Sequence, residues 1–201
     1  MSMPAHEVLS AQIRSDSLLC AHLRDADHQD AVELHVEVPA LTADDAQRLM
    51  GWLLQGFVDE PSGLVSSLMR LRNGLVRPLG LRRARLGCPV SSLLGPANGP
   101  CFGGRFPVLD QRIDLDGGMI EVVLGADDKH LRFRSCVGVL SPAEGRLVFS
   151  LETRVETLNA FGRFYMRAIR HVHHRLIAPL MLRRAADYAL RRLSGAASAA
   201  A

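Results

Sequence analysis

The sequence predicts an α+β protein in which a curved antiparallel β-sheet wraps around a long C-terminal helix, with two shorter helices after the first strand. Three observations carry this expectation. From Thr157 to Arg192 the apolar residues Phe161, Tyr165, Ala168, Ile169, Val172, Leu176 and Leu180 recur at three- and four-residue steps, with Arg163, Arg167, Arg170 and His174 on the other side. That is the period of an amphipathic helix. From Ala31 the chain alternates instead, Val32, Leu34, Val36 and Val38 on one face and Glu33, His35 and Glu37 on the other, which is a half-buried strand. Further alternating runs follow beyond Phe106, separated by short turn signals, so neighbouring strands pair antiparallel. A one-sided sheet and an amphipathic helix each need a partner, and each is available to the other.

In chain order, Ser17 to Leu23 suggests a short helix, and Asp25, Asp27, His28 and Asp30 mark a polar turn before the first strand. Pro39 ends that strand. Thr42 with Asp45 forms an N-terminal capping signal for a helix whose Ala46, Leu49, Met50, Leu53, Leu54 and Phe57 share a face. A second helix is expected from about Ser62 to Val76, stopped by Pro78 and Gly80. Gly87 to Arg105, rich in Gly, Pro and Ser, reads as an irregular loop or a lid. Strands are expected at Phe106 to Ile113, Met119 to Gly125, His130 to Leu140 and Arg146 to Glu156. Their outer faces, with His130, Arg132, Arg134, Arg146, Glu152 and Arg154, read as solvated. The last helix starts at a Thr157 or Asn159 cap. Pro179 should bend or break it near Ala178, and a second apolar stripe of Leu182, Ala185, Ala186, Ala189, Leu190 and Leu193 follows. The tail from Ser194 to Ala201 is low in complexity and expected to fray.

At 201 residues and 48% apolar composition, the chain is expected to form one globular domain. No apolar run approaches the roughly 18 residues of a membrane span, and the N-terminal residues lack the pattern of a secretory signal, so a cytoplasmic location is expected. Cys20, Cys88, Cys101 and Cys136 include no C-x-x-C pair and read as free thiols. The net charge of +3 is modest and rests almost wholly on arginine, Lys129 being the single lysine. Clusters at Arg82, Arg83 and Arg85 and at Arg183, Arg184, Arg191 and Arg192 lack interleaved aromatics, so they read as solvated surface and not as a nucleic-acid site.

Motifs for chemistry are sparse. His171, His173 and His174 spread around the helix, without the H-E-x-x-H spacing of a metal site; His173 flanks the apolar stripe. No nucleophile elbow, dinucleotide fingerprint or phosphate-binding loop is present, and no cofactor is implied. Asp127, Asp128, Lys129 and His130 at a hairpin tip could form an acid/base site, although turn chemistry accounts for them more simply. Ser135, Thr153 and Tyr165 are polar groups on expected inward faces. Buried hydroxyls of this kind either satisfy one another or orient a ligand. Together with Phe133, Phe149, Phe161, Ile169, Val172 and His173 they make the candidate ligand-binding set between sheet and helix. Core packing is the simpler reading of the stripe, and periodicity alone does not separate it from a ligand cavity.

Three stretches carry a resemblance: Leu71 to Leu81, Asp127 to Arg134, and Asn159 to Met166 running on to His174-Arg175-Leu176-Ile177. They resemble a bacterial domain family of unknown function placed near the START-like (SRPBCC, helix-grip) superfamily and also found fused behind short-chain-dehydrogenase-like modules. The resemblance spans roughly Ala31 to Leu193. It implies a helix-grip fold with an apolar cavity and carries no catalytic residue across. The expectation is a protein that binds a small apolar or amphipathic molecule. A cyclase or dehydratase using Tyr165 or His173, and an interaction module for a reductase-like partner with exposed apolar surface beyond Pro179, stand as alternatives.

Overall fold

The structure, a computed structural model, describes residues 7–38, 41–60, 63, 90–93, 99–143 and 145–200. It is an α+β fold, consistent with a helix-grip arrangement. A curved six-stranded antiparallel sheet runs in the order β1 (Val8–Ala11), β2 (His28–Glu37), β8 (Arg146–Thr157), β7 (Leu131–Ala143), β6 (Met119–Asp127), β5 (Asp110–Asp114). Helix α1 (Ala43–Asp59) and the C-terminal helical stretch lie on one face. A short helix α2 (Val90–Leu93) and a hairpin of β3 (Cys101–Phe102) with β4 (Phe106–Pro107) precede β5.

The expected meander is present, and its first strand sits at the far side of β8. The pairing of β2 with β8 runs from His28 opposite Val155 to Glu37 opposite Arg146. Two strands differ from expectation. β1 is a four-residue edge strand with no alternating burial, too short to leave a periodic signal. The expected run from Phe106 to Ile113 is interrupted at Val108 and Leu109, so its two ends belong to different sheets.

Helix α1 begins as its sequence dictates. The Thr42 hydroxyl accepts from the Asp45 amide and the Asp45 carboxylate accepts from the Thr42 amide, both at 3.2 Å. Apart from Gly63, the expected helix from Ser62 to Val76 lies outside the described residues, as does the stretch from Leu71 to Leu81. Where the Gly- and Pro-rich segment is described, it is not simply irregular. Leu93 of α2 and Phe102 of β3 are buried in the main core.

The C-terminal stretch is one helical run with an altered turn. Asn159 caps α3 (Ala160–Val172) by accepting from the Gly162 amide, residues His173–Ile177 form a π-helical turn, and α4 (Ala178–Ala200) continues. Pro179 has no amide proton to give to the preceding turn. The expected disturbance near Ala178 takes the form of this wider turn, in which the Ala178 amide bonds back to the His173 carbonyl. Beyond it, Leu182, Ala185, Ala186, Ala189 and Leu190 pack against α1. The approach is close: a Cβ added at Gly56 would lie 2.8 Å from the Ala185 Cα. The interaction-module reading looked for exposed apolar surface here, and these residues are buried.

The apolar stripe of α3 is rotated relative to expectation. Gly162 and Met166 are buried, whereas Ala168 is exposed and Val172 and Leu176 are each 38% exposed. The cause lies at Gly162, where a Cβ would sit 2.2 Å from the His130 carbonyl oxygen. Only glycine lets the helix descend onto the β6–β7 turn at that point, and this contact selects the face that docks.

The outer face of the sheet corrects a second expectation. It is solvated only towards its ends: residues 12–27, including a 3-10 turn at Leu18–Ala21, lie across its centre, and Glu121, Ser150 and Glu152 are almost fully buried. Leu19 packs on Val123 and Cys136 in a small second core. Arg132 and Arg146 are exposed as expected, while Arg154 donates to the Leu19 and His22 carbonyls of the covering segment.

Candidate functional site

One row of the largely apolar inner face carries polar side chains on three successive strands. Asp30 of β2, Thr153 of β8 and Ser135 of β7 are successive partners in register, and continue to Leu124 of β6. The Ser135 and Thr153 hydroxyls lie 3.1 Å apart, and both residues are buried. Above the row, the π-helical turn brings His173 to Asp30, with Nδ1 2.8 Å from Oδ2. A carboxylate only accepts, so Nδ1 carries the proton and Nε2 of a neutral ring is the acceptor. The other carboxylate oxygen, Asp30 Oδ1, is buried without a hydrogen-bond partner. Such an orphan acceptor is costly and calls for a donor.

Beside this polar row lies an apolar patch. Phe133, Val155 and Met166 are buried together, flanked by Leu131, Tyr165 and Ile169. Ile169 also packs against the main core, so it joins the two. Phe161 stacks on Tyr165 at 6.5 Å and meets the His130 ring edge-on at 5.0 Å. Asn159 holds the hairpin tip as well, its side-chain amide 2.8 Å from His130 Nδ1 and 3.1 Å from the Lys129 carbonyl. The Asp127 to His130 tip therefore serves as a socket for the start of α3. Arg134 binds Asp127 at 2.6 Å, and the Asp128 carboxylate accepts from the next amide, as turn chemistry requires.

Of the expected ligand-binding set, the structure gathers Phe133, Ser135, Thr153, Tyr165, Ile169 and His173 around the polar row and its apolar neighbour. Phe161 lies at the hairpin end. Phe149 is fully buried two rows further along β8, among main-core residues. Val172 stands at the exposed side of α3. Asp30, expected from the sequence in a polar turn, lies within β2. Its signal was parity: Asp30 shares the phase of Val32, Leu34 and Val36, and β2 begins at His28, not Ala31.

A second concentration of charge occupies the outer face. Arg14 contacts both Glu121 and Glu152, Arg112 contacts Glu121, the Ser17 hydroxyl donates to Glu152, and the Leu18 amide donates to Glu121. Burial disfavours the Arg14 cation, but the fields of Glu121, Glu152 and Asp16 outweigh it and raise its pKa. Burial also raises Glu152, with Glu121 adding to the effect, against the opposing pull of Ser17 and Arg14. The Cys136 thiol is driven well above its ordinary value by burial and then by the same two carboxylates. It is thus a thiol kept protonated and unreactive. Among the described residues no group of three or more His, Cys, Asp or Glu is placed to hold a metal ion. No described helix is long and apolar enough to cross a membrane.

These features define an α+β protein of helix-grip form, with a polar row set into the apolar inner face of its sheet. The chain belongs to the family described as protein of unknown function (DUF2867), whose model matches residues 22–181. The match takes in β2, the whole polar row and the π-helical turn, and leaves β1, Arg14 and Ser17 outside it. No curated protein matches the sequence.

Proposed function

We propose that this is a cytoplasmic, single-domain START-like protein that binds a small amphipathic molecule between the sheet and α3. The observation that carries the reading is the polar row itself: a carboxylate with an unpartnered buried oxygen, a histidine and two hydroxyls beside the Phe133, Tyr165 and Ile169 patch. Burial of the ligand's apolar part contributes about 25 cal/mol per Å2, and a hydroxyl or amine donated to Asp30 Oδ1 fixes its orientation. Native mass spectrometry before and after denaturing extraction tests this. The expected result is a small-molecule adduct released on denaturation and depleted in folded Asp30→Asn and Tyr165→Ala variants. Full retention of the same adduct by both variants overturns the site.

The His173–Asp30 pair favours one further reading, proton transfer on the bound molecule with His173 Nε2 as base. If so, the released molecule contains a proton acidified by a neighbouring carbonyl or an eliminable hydroxyl, and His173→Gln binds it without turnover. Turnover undiminished in His173→Gln removes this reading. The resemblance also leaves room for a reductase-like partner, which co-purification with the full chain addresses.

A further inference from the structure

The rotation of α3 leaves part of its apolar stripe outside the core. Phe164 is 72% exposed, and Val172 and Leu176 are 38% exposed each. Along one edge of this exposed stripe lie Arg163, Arg167 and Arg170, all exposed. None of the three forms an ion pair with a described residue. Arg163 acts on the Asp27 carboxylate, which is already engaged by the Thr157 amide and hydroxyl at 2.6 Å. No aspartate or glutamate occurs from Leu158 to Ala186. The helix therefore presents cations that have no ion-pair partner among the described residues, beside a large exposed aromatic.

Phe164, Ala168, Val172 and Leu176 follow one another at four-residue steps, a continuous apolar stripe and not scattered single residues, and a protein interface of ordinary composition carries both signs of charge. An edge of arginines running beside a stripe of exposed apolar side chains matches a surface that is anionic in its outer layer and apolar a few ångströms below, the interface of a bilayer containing acidic phospholipids. We propose that the exposed face of α3 and of the π-helical turn that follows it docks on such a membrane surface, with Arg163, Arg167 and Arg170 at the headgroups and Phe164, Val172 and Leu176 in the acyl boundary. The proposal rests on no part of the ligand-binding reading.

The test is co-sedimentation of the full chain with vesicles of phosphatidylcholine alone and of phosphatidylcholine with about one third phosphatidylglycerol. Binding to the mixed vesicles is expected, with little to the neutral ones, and raised salt should weaken it. A folded Arg167→Glu/Arg170→Glu variant should lose about tenfold or more of the affinity, and Phe164→Ala should lose affinity at unchanged charge. Circular dichroism and the thermal midpoint establish that these surface variants are folded. Failure to sediment with mixed vesicles, equal binding to both compositions, or wild-type binding by the charge-reversed variant overturns the proposal. So does displacement from mixed vesicles by duplex DNA together with direct DNA binding, which assigns the face to nucleic acid. A dimer in sedimentation equilibrium that Phe164→Ala dissociates assigns it to a second copy instead.

Discussion

Single residues in this protein are governed by whether a polar group meets a partner when it loses water. Glu152 meets several and is still unfavourably placed, since burial and Glu121 raise its pKa in the folded state. The sign follows from linkage. A carboxylic acid whose folded pKa lies above its unfolded value binds more protons when folded across that interval, so its contribution to stability diminishes as pH rises through it. Glu152→Gln, which cannot ionise, should therefore gain stability relative to the wild type as pH climbs from the usual carboxylate range through the raised value. Urea unfolding of both proteins across that range measures the gap; a gap independent of pH contradicts the assignment. Alternation placed Ser135 and Thr153 on the inner face and Glu152 on the outer one. It could not show that Glu152 is covered, because period two reports which side a residue takes and not what lies over that side.

At the scale of elements, the decisive contacts are those between segments whose sequences look strongest by themselves. The Asp127 to Arg134 hairpin and the Asn159 to Met166 helix start meet at Gly162 and His130. Gly162→Ala forces its methyl into a backbone oxygen, which cannot give way as a flexible side chain would. Destabilisation of about 1–3 kcal/mol is expected from the resulting displacement of α3, read from the urea midpoint at constant m-value. Helix α1 was legible down to its cap because Thr42, Asp45 and the buried face all lie within a few residues of one another. The docking angle of α3 was not legible, since it depends on a carbonyl contributed by His130. The altered turn before Pro179 was legible in place, but its form as a π-helical turn, and hence the setting of His173 over Asp30, was not.

For the molecule as a whole, the centre of the sheet is covered on both faces: the helices cover one, and the segment from residues 12–27 is fastened to the other by buried charge. Removing Arg14 leaves Glu121 and Glu152 without their shared cation. Breaking a buried pair from one side costs about 3–5 kcal/mol, so Arg14→Ala should be among the most destabilising single changes on that face. It should also loosen Leu19 from Cys136. Alkylation of the native protein followed by peptide mapping is expected to leave Cys136 unmodified while Cys20 and Cys101, both partly exposed, react. In Arg14→Ala, Cys136 should become labelled well below the unfolding midpoint. Protection of Cys136 equal to wild type shows that the segment is held by other means. Composition and pattern announced the fold class, whereas the second covering layer depended on ion pairs between residues more than a hundred positions apart, which no local pattern encodes.

The pairing of β2 with β8 also sets a timetable for synthesis. As the chain leaves the ribosome, β2 has four-residue β1 as its neighbour, and the strand that satisfies its other edge, Arg146–Thr157, is made more than a hundred residues later. Through that interval an alternating strand with Val32, Leu34 and Val36 on one face lacks both its main ladder and the helix that covers it. Closing so long a loop is slow, and an unpaired apolar strand is a template for wrong pairing between nascent chains. Glu33 and Glu37, which alternate with those residues, put charge along the waiting strand and oppose such association until β8 arrives.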